Sequence, residues 1–237
     1  MIRLGKTFDE MSSNMEKKWR LHPRDGREKK AFRAFQSEID SYIARFMIDP
    51  NAGETLSLRW MEECFKLPPM VNNAFVKLLV ELRHPTSRLG SRCVEGYLTH
   101  SSKYMNELAR ISSFLHHLAQ ARVSLSIGIL LAKTSPSDGI PWLRPITVKE
   151  IKSEKNPLLE RFRDAELDEV TDLNKIAARL TATLQSGQSC EEEVEELSRK
   201  LEEFEKLLDK LQEIVKKLFI EVLSTRSKLI SYRKVLI

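Results

Sequence analysis

From Glu191 to the C-terminus, apolar residues recur every seven positions, at Val194, Leu201, Leu208, Val215, Val222, Leu229 and Leu236. A companion series runs three residues later, through Leu197, Phe204, Leu211, Leu218, Thr225 and Tyr232. Thr225 alone breaks the apolar rule. A stripe of this length predicts one long helix that must be buried against other helices. After Ile214 the stripe widens, because Phe219, Ile220, Leu223 and Ile230 join it. A two-position seam suits a lone coiled coil, whereas a wider face suits a helix surrounded by several others. The first half is therefore expected to pack on one neighbour and the second half to enter the core of a bundle.

Helical spacing continues upstream. Phe32, Phe35, Ile39, Ile43 and Phe46 predict a helix over about 29–48, ended by the turn chemistry of Asp49-Pro50-Asn51-Ala52-Gly53. Leu58, Met61, Phe65, Val71, Phe75, Leu78, Leu79 and Leu82 carry the next apolar face, which starts near Thr55. Pro68-Pro69 falls inside it. An interior proline loses an N–H and clashes with the preceding turn, at ~3 kcal/mol or more. A kink, or two shorter helices meeting there, is expected. A third helix runs from about Ser91 to Lys133, with Val94, Leu98, Tyr104 or Met105, Leu108, Ile111, Leu115 and Leu118 inward. Its last part, Val123 to Ala132, is apolar but far shorter than the ~20 residues of a membrane span. Alternation there could be read as a strand, but no second strand exists to pair with it.

Three prolines and Gly139 make residues 134–148 the main linker. A fourth helix is expected over about 156–186, with Leu159, Phe162, Leu167, Val170, Leu173, Ile176, Ala177, Leu180 and Leu184 at helical spacing. Gly187 ends it. Ser189-Cys-Glu-Glu192 matches a capping box for the final helix. The short turn between these two helices makes them an antiparallel pair. The fold class that follows is all-α: an elongated antiparallel helical bundle with long coiled-coil-like C-terminal helices.

Composition agrees with helix, with a charged share of 31% and only 8 glycines in 237 residues. Cys64, Cys93 and Cys190 are odd in number and show no CxxC spacing, which argues for reduced thiols in an intracellular protein. Residues 1–34 hold ten Lys and Arg against five Asp and Glu, so the net charge of +5 belongs to this arm. Residues 1–30 are expected to form a solvated, poorly ordered basic arm. The arm has no apolar secretory core, and its acid content is wrong for a chloroplast or mitochondrial transit peptide. Trp19 among Lys17, Lys18 and Arg20 would suit contact with a membrane surface. Two aromatics before Phe32 are too few for the base stacking of single-strand nucleic-acid binders, so no nucleic-acid partner is expected. These features place the protein in the cytoplasm or peripherally on a membrane.

Chemistry-bearing clusters are sparse. His116-His117 with His100 is the densest histidine group, but adjacent helical residues point about 100° apart and no matching ligand spacing is present. Glu62-Glu63 and Glu202-Glu203 read as solvated helix faces. No nucleophile elbow, phosphate loop or dinucleotide fingerprint occurs. Ser135-Pro136 is a phosphorylation motif that serves equally well as a plain turn. No catalytic residue, cofactor or metal ligand is assigned. Val194, Leu197, Leu201, Phe204 and Leu208 are the candidate partner-binding face. The alternative is a small-molecule carrier or enzyme with its site inside the bundle, where Ser124, Ser126 and Gly128 would leave space.

Several stretches carry a family resemblance. Ala31-Phe-Arg-Ala-Phe-Gln-Ser-Glu-Ile39, Leu56-Ser-Leu-Arg-Trp-Met61, Val94-Glu-Gly-Tyr-Leu98, Ile111-Ser-Ser-Phe-Leu115 and Gln120-Ala-Arg-Val-Ser-Leu125 resemble the plant BYPASS family. So do Val215-Lys-Lys-Leu-Phe219 and Val222-Leu-Ser-Thr-Arg-Ser-Lys-Leu229. The resemblance covers residues 31–237 in order. Pro68-Pro69 and the N-terminal arm depart from the family pattern. The resemblance implies a regulatory protein of root and shoot development that restrains a root-derived mobile signal. It implies protein partners, among them exocyst subunits of the secretory pathway, and no established catalytic residues.

Overall fold

The computed structural model describes residues 26–46, 57–82, 88–147 and 167–234. Described residues form α1 (Gly26–Phe46), α2 (Leu58–Cys64), α3 (Leu67–Glu81), α4 (Arg88–Thr134), the short α5 (Pro136–Gly139), a 3-10 turn (Ile140–Trp142), α6 (Asp168–Ser186) and α7 (Glu191–Lys234). The fold is an all-α bundle whose long C-terminal helices pack against each other. The Val123–Ala132 run is helical, as the absence of a pairing strand required.

The chain sorts into two compact units, each described by itself. The first holds α1, α3, α4 as far as Ala109, and α7 from Lys216. Its core joins Ala31, Phe35 and Ile39 of α1 to Ala74, Phe75, Leu78, Leu79 and Leu82, with Cys93, Val94 and Leu229. Phe75 is the hub: Phe35 meets it edge-on at 6.4 Å and Tyr97 stacks on it at 4.7 Å. α1 opens at Gly26, so the last residues of the expected arm are helical. The rest of that arm, with Lys17, Lys18, Trp19 and Arg20, lies outside the described residues, as does the turn at 49–53.

Pro68-Pro69 produces two helices rather than a kink. α2 stops at Cys64, and Pro68 sits in the first turn of α3, where a missing N–H has no helical acceptor to lose. The widened stripe behaves differently from its expectation. Ile220, Leu223 and Ile230 stay 58, 40 and 39% exposed. They sit on the outward side of α7, opposite the seam, and do not enter the core.

The second unit holds α2 to Glu62, α4 from Arg110, α5, α6 and α7 to Val215. α6 ends at Gly187, whose φ of 70° is the left-handed cap that glycine adopts without Cβ strain. Thr183 then donates to Glu193 at 3.2 Å, and Arg179 pairs with Glu196. Partners fall along one helix as they rise along the other, so α6 and α7 form the expected antiparallel pair. α7 opens at Glu191, so Cys190 rather than Ser189 stands before the first helical residue, and its carbonyl accepts from Val194. From Val194 to Leu229, every member of both heptad series except Thr225 is buried.

The segment read as a linker is packed into this unit. Leu143 and Ile146 are buried, and Asn174 clamps the backbone of Ile146, accepting from its N–H at 2.7 Å and donating to its carbonyl at 3.0 Å. Two glycines permit the approach. A Cβ on Gly128 would lie 2.7 Å from the Leu143 side chain. A Cβ on Gly139 would lie 2.9 Å from the Ala132 nitrogen and 3.0 Å from the Gly128 carbonyl. The space expected beside Gly128 is therefore filled by Leu143. α4 is long and apolar enough to cross a membrane by composition alone. Within its apolar stretch, however, Arg122 is paired with Glu205 at 2.7 Å, and Leu118, Leu125, Ile129 and Ala132 are buried by the chain.

Charge divides with the units. Among described residues the first carries sixteen Lys and Arg against eight Asp and Glu, and the second eleven against fifteen. α7 contributes the largest part of this, its acids near the positive N-terminal end of the helix dipole and its bases near the negative end. Glu191–Val215 holds ten acids and four bases, while Lys216–Lys234 holds six bases and one acid.

Gly139→Ala should lower stability by about 1–3 kcal/mol, because its clash is with backbone that cannot rotate away. Gly26→Ala, with nothing within 4 Å, is the control and should be neutral within about 0.5 kcal/mol. Urea denaturation followed by circular dichroism measures both.

Candidate functional site

The densest polar constellation among the described residues lies inside the first unit, between α3, α4 and α7. Its centre is Asn72. The amide nitrogen donates to Glu221 Oε1 at 3.1 Å and to Thr225 Oγ1 at 3.2 Å. Its Oδ1 accepts from the Tyr97 hydroxyl at 2.8 Å. One half-buried amide therefore ties three helices, using both of its polar atoms. This is why Thr225 breaks the apolar rule of its series: its hydroxyl is an acceptor for Asn72, and a leucine there would leave that donor with one partner fewer.

One turn further along α4, Arg226 reaches the same side. It donates to the Leu98 carbonyl and to Ser101 Oγ at 2.5 Å. Ser101 is a buried polar residue, 7% exposed, and also donates to the Tyr97 carbonyl at 2.6 Å. In the sequence Arg226 is one of six basic residues between Lys216 and Lys234. The structure makes it a cross-helix tie.

Tyr104 and Glu107 extend the polar side of α4. The Tyr104 hydroxyl is buried without a hydrogen-bond partner. Burial, and then the nearby Glu221 carboxylate, push its ionisation well above the usual tyrosine range. Burial also raises Tyr97. Desolvation pushes the Cys64 and Cys93 thiols up to about 12. All four groups are thus held in their neutral forms at physiological pH. A protonated thiol is a poor nucleophile and a protonated phenol a poor base. The arrangement joins helices and lacks an activated attacking group among these four.

The residues singled out from sequence fall elsewhere. Val194, Leu197, Leu201, Phe204 and Leu208 are all buried within the second unit. The expected partner face is corrected to an internal seam: an apolar heptad stripe reads the same whether it meets its own chain or another. His116 contacts Gln120 at 3.1 Å and His117 contacts the Thr147 carbonyl at 3.2 Å. No cluster of three or more His, Cys, Asp or Glu among the described residues is arranged to hold a metal. Asn72, Tyr97 and Ser101 were missed. Thr225 was the one signal of the network, and it named one end without naming its partner.

Asn72→Ala should cost about 1–3 kcal/mol by stranding Tyr97 and Glu221. Combined with Thr225→Val, the loss should fall short of the sum by about 0.5 kcal/mol or more, the coupling of a shared hydrogen bond. A thermodynamic cycle in urea reads it.

The raised thiols also set an alkaline limit. Their folded-state values lie above the ordinary value of 9.0, so their stabilising contribution is complete below pH 9 and is lost as pH rises toward 12. Cys93→Ala should flatten the decline in unfolding free energy over that window, measured by urea titration at stepped pH.

No family model, no curated protein and no solved structure matches this chain.

Proposed function

We propose that this chain is a non-enzymatic interaction protein of the BYPASS type, acting in root and shoot development by restraining a root-derived mobile signal. The observation that carries the non-enzymatic part is the internal polar network. Its amide, hydroxyl and guanidinium groups are spent on one another and on backbone, joining helices. Tyr97, Tyr104 and the Cys93 thiol, on the same helix, are held protonated by burial. Such groups favour a scaffold over a reacting centre. The developmental role rests on the ordered resemblance of residues 31–237. Protein partners from exocyst or other membrane-trafficking machinery belong to the same proposal, at a cytoplasmic or peripheral membrane location.

One observation favours the second reading, a small-molecule carrier. The buried Tyr104 hydroxyl beside Glu221 is a donor without an acceptor. Against it stands the filled space at Gly128.

Affinity purification of the full chain from source tissue tests the choice. The control reverses exposed Glu192, Glu195 and Glu202 to Lys, since the buried seam cannot be altered without unfolding. An interaction protein should recover a trafficking or signalling partner in stoichiometric amount, weakened by the control. A small molecule retained in native mass spectrometry, with no protein partner, overturns the proposal in favour of the carrier.

A further inference from the structure

The outward side of α7 in the first unit combines features that the fold does not use. Ile220, Leu223 and Ile230 are exposed at spacings of three and seven, which places them on one helical face. Lys216 lies one turn before Ile220 on that face, and Lys228 flanks it; both are exposed. Glu221, the one carboxylate from Lys216 to the helix end, is turned inward to accept from Asn72. Its hydrogen bond from Asn72 engages this half-buried acid, and the outward face presents apolar side chains, small serines (Ser224, Ser227, Ser231) and lysines. Elsewhere on α7 the pattern differs: none of the exposed large apolar residues lies on its acidic first half.

We propose that this face, Lys216 to Ile230, docks on an anionic phospholipid surface. Charge complementarity narrows the choice to an acidic partner. A second copy of this chain could offer the Glu-rich half of α7, but that half exposes no large apolar side chain to meet Ile220, Leu223 and Ile230. An anionic bilayer supplies both requirements at once. Headgroups take the lysines, whose alkyl stems lie along the surface, and the acyl boundary takes the isoleucines and leucine. The proposal draws on none of Lys17, Lys18, Trp19 and Arg20, and it does not depend on the developmental reading.

The test is co-sedimentation of the full chain with vesicles of phosphatidylcholine alone and of equal parts phosphatidylcholine and phosphatidylserine. Wild type should bind the anionic vesicles only, and less as salt rises. Ile220→Ser/Leu223→Ser/Ile230→Ser should keep its helicity, because all three side chains are exposed, and lose roughly tenfold or more in partition. Lys216→Glu/Lys228→Glu should lose roughly fivefold or more per lysine. Lys17→Glu/Lys18→Glu/Arg20→Glu should retain the dependence on Ile220, Leu223 and Ile230. Absence of wild-type binding overturns the proposal, and so does unchanged binding by the serine variant. Light scattering that shows a dimer dispersed by the serine variant, with no vesicle binding, assigns the face to a second copy and overturns it as well.

Discussion

Burial of the α7 seam is the constraint on which the rest of the structure depends. Ten apolar side chains from Val194 to Leu229 lie on one line of a 44-residue helix, and all are buried. Each fully buried residue of this size contributes roughly 1.5–3 kcal/mol relative to exposure, while ordering each residue costs about 1–2 kcal/mol of backbone entropy. An isolated helix with this pattern would be insoluble or would recruit another chain. Here other segments of the same chain cover it. The α6 hairpin, held by Thr183–Glu193 and Arg179–Glu196, and α4, through Arg122–Glu205, flank its first half. Asn72, Ser101 and Leu98 hold its second half by polar contacts.

The two halves are held in different ways. In the second unit the seam is apolar without exception, and ion pairs such as Lys210–Glu62 at 2.8 Å ring it. Exposed pairs of this kind contribute at most about 1 kcal/mol each, so they align helices more than they stabilise them. In the first unit a polar position interrupts the seam. Hydrogen bonds are directional, and a donor left unmatched in a half-buried site is costly. The Asn72 network therefore specifies how α3, α4 and α7 meet in a way that apolar contacts alone do not. The same network engages Glu221, the one carboxylate from Lys216 to the helix end.

Close approach completes the second unit. Residues 135–147 lie against α4 because Gly128 and Gly139 have no Cβ to keep them apart. Pro and Gly in one window read naturally as a linker. Leu143, Ile146 and the Asn174 clamp show the other use of the same residues, a short irregular segment fitted tightly to a helix.

Periodicity by itself determined the described helices, their approximate ends at Gly187 and before Pro68, and most of their inward-facing residues, because helix geometry and burial leave a direct imprint at intervals of three, four and seven. It also marked Thr225 as an exception. Tertiary structure decided the rest. A seven-residue stripe cannot state which chain covers it, so Val194, Leu197, Leu201, Phe204 and Leu208 read as a partner face and proved to be an internal seam. A widened stripe cannot state which of its members find neighbours, so Ile220, Leu223 and Ile230 read as core and lie outside. The partners of Thr225 and Arg226 were illegible because Asn72 and Ser101 are separated from them by more than a hundred positions. Hydrogen bonds at that separation depend on the packing of whole helices, which local pattern does not encode.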